Sequence, residues 1–468
     1  MNTNKNESFR DSIGTINEEG LRNWIHPKKP KGRYYNYRTI LSIVLLIFFA
    51  ISPFLKINGE QFMLFDVLGR RFHIFGRPFF PQDFYLLAIA VIVSLVFLVL
   101  FTVVYGRIFC GWLCPQTIFM EMVFRKIEYL FEGDRPKQIK LDRMPWNAEK
   151  IRKRGLKWVV FYLLSLVITS IMLAYVAGSD YVINMWKNPF ADIKAFIAYL
   201  VFTTIFFFVF AWFREQVCII ACPYGRLQGV MTDENTIMVT YDYKRGEKRG
   251  PIRKGQNREE LGMGDCIDCK QCVQVCPTGI DIRNGTQLEC INCTACMDAC
   301  DAVMDSIGKP RGLIRYASKV SIEEGHSKLF TPRVKFYTVI LTILLGVFVT
   351  LFAKRPAVEL KVMRQRGLVY TELPNGQIRN YYNTTLINKS NKAFKKLHLG
   401  LIGDKEGKII MTGDEDLNLA KEEIKQFLIY VDYPKEKVRG EKKIVFGIYT
   451  KDGKLLDKFK TVYIAPIK

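Results

Sequence analysis

Five long apolar runs constrain this chain more than any other feature of its sequence. They cover residues 39–55, 84–104, 158–177, 195–213 and 336–352. A helix crossing the hydrocarbon core needs about 20 apolar residues, range roughly 17–25. The run from Phe84 to Val104 carries no charge at all, while Pro53 and Gly346 blur the ends of the first and last runs. The polar stretch 1–38 precedes the first run and no small-residue cleavage site follows it, so it does not read as a cleaved signal peptide. Charge settles the orientation. Among 468 residues, 68 Lys and Arg stand against 45 Asp and Glu, a net charge of +23. In a soluble chain that surplus would point to nucleic acid; here it follows the spans. Lys28, Lys29, Lys31, Arg33 and Arg38 precede the first, and a dense basic stretch from Arg107 to Lys157 separates the second from the third. The 178–194 loop has only Lys187 and Lys194. The bias of positive residues toward the cytoplasm therefore places the N-terminus, 105–157 and 214–335 inside and 353–468 outside. The basic surplus is explained by topology and anionic lipid, and no nucleic-acid partner is needed.

All twelve cysteines lie between Cys110 and Cys300. A disulfide-stapled secreted domain would not leave the last third bare, so metal ligation is the better reading. The sharpest pattern is Cys266-x-x-Cys269-x-x-Cys272-x-x-x-Cys276-Pro277, repeated as Cys290-x-x-Cys293-x-x-Cys296-x-x-x-Cys300. This is the bacterial ferredoxin run written twice. The tight loop supplies three thiolates to one cubane and the fourth cysteine crosses to the other. One [4Fe–4S] cluster is thus expected on Cys266, Cys269, Cys272 and Cys300, and the second on Cys290, Cys293, Cys296 and Cys276. Zinc knots use paired cysteines and rarely a third at this spacing.

The remaining four form another repeat, Cys110-Gly-Trp-Leu-Cys114-Pro115 and Cys218-Ile-Ile-Ala-Cys222-Pro223, directly after the second and fourth spans. An i, i+4 pair is expected on one helical face, with the proline ending or kinking the helix behind it. Four soft thiolates brought together favour Cu(I) or an iron–sulfur centre over hard ions. Buried structural cysteine is the competing reading, and repetition at equivalent topological positions argues against it. Whether the four hold copper, a further cluster or a disulfide stays open from spacing alone. Arg107, Arg214 and Glu215 flank these motifs; positive charge there either stabilises thiolate or snorkels to the interface.

Residues 354–468 lack cysteine and show strand patterns at 379–388, 424–431 and 443–449, with Asp452-Gly453 as a hairpin turn. About seven strands are expected, a β-sandwich suited to docking or spacing. Of the four histidines, His26 is a metal-ligand candidate beside the membrane. His73, with Met63 nearby, is a weaker candidate for receiving copper outside, and His326 and His398 read as solvated. The first twenty residues are expected to be disordered.

Taken in order, Asn23-Trp24-Ile25-His26-Pro27, Phe109-Cys110-Gly111-Trp112-Leu113-Cys114-Pro115-Gln116, Ala221-Cys222-Pro223-Tyr224-Gly225-Arg226, the twin ferredoxin run, the fifth span and the β-rich tail resemble the CcoG/FixG/RdxA family. These are accessory proteins of cbb3-type cytochrome c oxidase assembly. Membrane components of nitrate- and nitrous-oxide-reductase electron chains share part of this layout. The resemblance implies a multi-pass bacterial inner-membrane oxidoreductase that reduces Cu(II) to Cu(I) during copper delivery. It also implies an immunoglobulin-like C-terminal domain, and oxidase assembly factors or a copper transporter or chaperone as partners. No motif names the cytoplasmic electron donor. A quinol-linked ferredoxin feeding a partner reductase and a non-enzymatic assembly scaffold are the alternatives. The expected fold is therefore a multi-domain, α-helical integral membrane protein of about five spans. Its segments are a cytoplasmic stretch 1–38, four spanning helices within 39–213, a cytoplasmic segment 214–335 with the two-cluster ferredoxin-like insert at about 257–310, a fifth span at 336–353 and an all-β immunoglobulin-like sandwich at 354–468.

Overall fold

A computed structural model describes residues 15–16, 21–57, 59–67, 69, 71–80, 83–252, 258, 260–326, 329–365, 367, 369–390, 392–404, 406–412 and 417–467. The expectation of disorder for the first twenty residues otherwise lies outside the described residues, but Thr15 is fully buried. The chain divides into two compact units. One comprises Met1–Ile51, Ile89–Leu173 and Asp180–Gly346; the other Ser52–Ala88, Ala174–Ser179 and Val347–Lys468.

Among the described residues, five helices are long and apolar enough to cross a membrane: Arg33–Ile51, Phe84–Tyr105, Ala148–Ala177, Ile193–Phe213 and Pro332–Ala353. The first and third begin earlier than their apolar runs. Hydropathy marks only the stretch able to sit in hydrocarbon, whereas the helix starts wherever its first amides find acceptors. Asp298, far along the chain, accepts from the amides of Tyr34 (3.1 Å) and Tyr35 (2.8 Å). The Asn147 side chain accepts from the Lys150 amide at 2.9 Å. In the first unit, Phe119, Phe124, Phe161, Ile168 and Phe210 form an aromatic core. It is built partly on the π-helical stretches Ile118–Phe124 and Val209–Phe213.

The ferredoxin-like insert is framed by a two-stranded ladder, Met238–Tyr241 against Ile314–Ala317. Its core takes Val239, Tyr241, Ile280, Ile282, Met297, Met304 and Leu313. The second unit contains the β-sandwich. One sheet runs, in spatial order, Lys408–Met411, Ile424–Pro434, Gln377–Asn388 and Val358–Arg364, with Thr371–Glu372 also on Gln377–Asn388. The other runs Leu417–Leu419, Phe394–Leu401, Glu441–Tyr449 and Leu455–Ile464. Strand residues alternate inward, as at Val358, Leu360 and Val362. Among the described residues, nine strands replace the expected seven because the sheets add short members such as Thr371–Glu372 and Leu417–Leu419, too brief to show an alternating pattern. Gly453, with φ +77°, turns the expected hairpin. Segment 56–79 also folds, into a ladder of Lys56–Ile57 with Glu60–Gln61 and a three-stranded sheet of Met63–Asp66, Arg71–Ile74 and Arg77–Phe79.

Candidate metal centre

The two ferredoxin loops repeat in backbone as well as in sequence. Asp268 and Lys270 have φ of 53° and 56°; Asn292 and Thr294 have 53° and 64°. Each pair sits two and four residues after its loop's first cysteine. Asp and Asn tolerate this left-handed region, but it is unfavourable for Lys270 and Thr294, so the same strained position recurs in both loops. Short helices follow, Gln271–Gln274 carrying Cys272 and Ala295–Ser306 carrying Cys296 and Cys300.

Two cavities result. One, of about 360 Å³, is lined by Cys266, Cys269, Cys272 and Cys300 under Tyr241, Met304 and Leu313. The other, of about 340 Å³, is lined by Cys276, Cys290, Cys293 and Cys296 under Val239 and Ile280, with Cys272 reaching it as well. Each cavity offers the crossed quartet expected from the spacing. Burial pushes the thiols of Cys272, Cys290 and Cys300 up to about 12. Metal-free, these sulfurs hold their protons, and loading a cation must release them. Four soft donors within an apolar wall fit an iron–sulfur cluster. Cys269 is exposed whereas Cys293, at the same position of its loop, is buried.

The C-x-x-x-C-P motifs depart from the expected geometry. Cys110 lies in the helix Ile108–Trp112, which ends at Leu113; Cys114 is extended (φ −64°, ψ 124°) and caps a new helix begun by Pro115. Likewise Cys218 lies in the π-helical turn Val217–Ala221, and Cys222 caps the helix Pro223–Met231. The paired cysteines therefore do not share one continuous helical face. As expected, each first helix stops short of its proline, with the cysteine before it held extended; the proline also starts the next helix, its lost N–H being one the first turn leaves unpaired anyway.

The four thiols nevertheless lie within reach of one another's charge. Burial raises Cys110 to about 11, and the charges of Cys114 and Cys222 push the same way. Burial raises Cys218 to about 12, followed by the charges of Cys114, Cys110 and Cys222. Gln228, fully buried on the helix of the second motif, donates to the Cys110 sulfur at 3.5 Å. A Cβ on Gly225 would stand 3.0 Å from the Cys218 carbonyl, so this glycine lets that helix close on its own motif.

The first motif rests directly on the second ferredoxin loop. A Cβ on Gly111 would stand 2.4 Å from the Ile291 carbonyl oxygen and 3.0 Å from that of Asn292, the segment between Cys290 and Cys293. Cys110 packs in one apolar cluster with Ile291, Cys293 and Cys296. Arg38 donates to the Gly111 carbonyl at 2.7 Å. Buried Arg107 lowers the pKa of both Cys110 and Cys290, against the larger effect of burial. Beside Cys218 a cavity of about 290 Å³ is lined by Met120, Glu121, Arg214, Glu215, Pro277 and Ile291, among others.

Sequence reasoning missed the ion-pair network behind this cavity. Arg214, expected to snorkel or attend the thiolates, instead grips Glu128 with both terminal nitrogens, at 3.0 and 2.8 Å. Arg125 lies 3.0 Å from Glu121 and 3.7 Å from Glu215. Burial would raise the Glu128 pKa; Arg214, Lys157 and Arg125 overcome it and hold the carboxyl near 2. A signal did exist. Glu121, Arg125, Glu128 and Glu132 recur at steps of four, three and four, one face of a helix. His26 is not presented to the thiols: Nδ1 is 3.2 Å from the Gln138 oxygen and Nε2 is 2.5 Å from Asp142. Both ring nitrogens are thus occupied, which removes it as a ready copper ligand. His73 pairs across strands with Leu64, and Met63 with Ile74. Adjacent strand positions face opposite ways, so His73 and Met63 do not converge. His326 and His398 are exposed, as expected.

Comparison with known proteins agrees with this layout. Residues 213–319 match a family described as a 4Fe-4S dicluster domain, and 87–137 match a 4Fe-4S binding domain. The only cysteines in the latter segment are Cys110 and Cys114. Residues 348–466 match the IG-like fold at the C-terminal of FixG. The chain is 39% identical to Protein RdxA of Cereibacter sphaeroides, over 78% of this chain and 80% of RdxA. It is 37% identical to Protein RdxB of the same organism, over 85% and 84%. To the nitrogen fixation protein FixG of Rhizobium meliloti it is 33% identical, over 78% and 77%.

Proposed function

Because this chain belongs to the FixG/RdxA family of iron–sulfur electron-transfer proteins, we propose that it is a membrane-bound cupric reductase supporting copper delivery to a cbb3-type oxidase. The observation that carries this reading is the contact of Gly111 with Ile291 and Asn292. It joins the thiol quartet of the membrane surface to the backbone between two expected cluster ligands.

In this reading Cys266, Cys269, Cys272 and Cys300 hold one [4Fe–4S] cluster and Cys276, Cys290, Cys293 and Cys296 the other, both on the cytoplasmic side, with the sandwich outside. The clusters, when bound, supply one-electron storage and transfer. Exposed Cys269 marks the face where a reduced cytoplasmic donor docks. Cys272, which lines both cavities, bridges them. Cys110, Cys114, Cys218 and Cys222 gather the substrate copper ion, Gln228 orients Cys110, and Arg107 offsets the charge of the thiolates on both sides. Cu(II) takes up one electron to become Cu(I), and the protein loses one. No proton moves to the metal. Thiolate sulfur stabilises the product more than the substrate, because Cu(I) is the softer ion.

The test uses the full-length protein, purified anaerobically, reduced with dithionite, desalted and mixed with Cu(II) and a Cu(I)-specific chelator. Chelated Cu(I) should form as the cluster EPR signals disappear. Cys110→Ser and Cys218→Ser should keep those signals and lose the reaction. Reoxidation by quinone analogues but not by Cu(II) would defeat the proposal.

A further inference from the structure

The second unit holds a constellation that the proposed reductase does not use. Glu60, His73 and Glu422 each offer a ligand atom, and the three atoms lie within 4.8 Å of one another. Among the described residues no other His, Cys, Asp or Glu group meets this criterion. Glu60 comes from the short ladder strand Glu60–Gln61, His73 from the strand Arg71–Ile74 and Glu422 from the connection into Ile424–Pro434. Glu422 takes a left-handed backbone, φ 57°, unfavourable for a glutamate.

The distances separate a metal site from a hydrogen-bonded pair. His73 Nε2 is 3.4 Å from Glu422 Oε2, and His73 Nδ1 is 3.9 Å from Glu60 Oε2. Both exceed the 2.7–3.2 Å of a hydrogen bond. Two ligands of one tetrahedral ion, at bonds of about 2.1 Å, stand about 3.4 Å apart. His73 is only 3% exposed, yet its Nδ1 has no hydrogen-bond partner, nor does the buried Glu422 Oε1. Leaving buried polar atoms unpaired is costly, and a cation held by one imidazole nitrogen and the two carboxylates lowers that cost. Lys421 occupies the other oxygen of Glu60, Oε1, at 3.0 Å, leaving Oε2 turned to the histidine.

We propose that Glu60, His73 and Glu422 bind one divalent transition-metal ion, pinning the 56–79 segment to the β-sandwich through a site separate from the cysteine quartet. One imidazole nitrogen and two carboxylate oxygens suit a borderline ion of the Zn²⁺ or Cu²⁺ class rather than Cu(I). Three protein ligands leave a fourth position open.

Zinc, being redox-silent, is the probe. Full-length protein in nanodiscs is stripped with EDTA, loaded with Zn²⁺, desalted, and analysed for zinc per chain and by zinc K-edge absorption. The wild type should retain one more zinc than Glu422→Gln, with nitrogen and oxygen neighbours, and its unfolding midpoint should rise on loading. Glu422→Gln, nearly isosteric, should weaken that zinc at least tenfold; His73→Gln is the second variant should the first not fold. Equal zinc in wild type and variants, or a shell of sulfur alone, overturns the proposal. The cysteines are untouched throughout, so copper reduction at the quartet is read independently.

Discussion

Gly111→Ala tests the junction between the first C-x-x-x-C-P motif and the second ferredoxin loop with a single methyl group. In a helix interior alanine is favoured over glycine by about 0.8–1.0 kcal/mol, so local propensity predicts a slightly stabler protein. The contact predicts the reverse. The new Cβ would stand 2.4 Å from the Ile291 carbonyl oxygen, where carbon–oxygen contacts ordinarily begin near 3.3 Å. A gap of roughly 0.9 Å must open, and both partners are backbone, which cannot rotate away. Overpacking of this kind costs about 1–3 kcal/mol, enough to outweigh the propensity gain. The first motif should therefore lift off the second ferredoxin loop. Misplacement by about 1 Å can slow a reaction on the order of 10²-fold. Stopped-flow oxidation of the reduced protein by Cu(II) should slow by ten- to a hundredfold. Iron content and the EPR of the reduced clusters should stay at wild-type values, because no ligand moves off its own loop. Unchanged Cu(II) kinetics, with the variant folded and fully loaded, would refute the electron route through this contact.

Further outcomes follow from the same geometry. Gly225→Ala should act in the same direction but more weakly, since its Cβ would meet the Cys218 carbonyl at 3.0 Å rather than 2.4 Å; copper binding and reduction, measured together, check this. Glu128→Gln strips the buried Arg214 of its bidentate partner and should cost about 3–5 kcal/mol, seen as a lower thermal midpoint with cluster signals retained. The pH dependence has a definite sign. The Glu128 carboxyl, near 2 in the folded chain against an ordinary 4.5, contributes stability that is complete above about 4.5 and lost as pH falls toward 2. At about 1.36 kcal/mol per unit that is about 3 kcal/mol, and Glu128→Gln should flatten this part of the acid-unfolding curve. His26→Gln should leave copper reduction intact, because both ring nitrogens face Gln138 and Asp142; loss of copper binding would restore it as a ligand.

Much of this architecture was legible because its chemistry is local. A cubane needs four thiolates at fixed spacing, and a span needs a continuous apolar stretch, so the eight ferredoxin cysteines and five crossing helices can be read residue by residue. The helix starts could not, since the acceptor for the Tyr34 and Tyr35 amides is Asp298, more than 260 positions away. The basic loop after the second span stood out by its charge. Its acidic stripe shows at helical spacing, but the partner does not, because Glu128 finds Arg214 only after the spans pack. The C-x-x-x-C-P motifs misled for a different reason. Helical spacing between the cysteines is a sound rule within a helix, but proline favours a first turn, and here each second cysteine is the residue that precedes one. That break has a consequence for the chemistry. Two thiols on one helical face would present a fixed pair, whereas a thiol in one helix and a thiol capping the next can be aimed separately. With two such breaks meeting across Gln228, four sulfurs can converge from four backbone segments. On the proposed reading, this arrangement follows the change from Cu(II) to Cu(I) more readily than a rigid pair could. The ferredoxin loops, strained at Lys270 and Thr294, are built the other way, to hold their ligands still. On that reading, a fixed electron store thus stands beside an acceptor site whose sulfurs are aimed from separate segments.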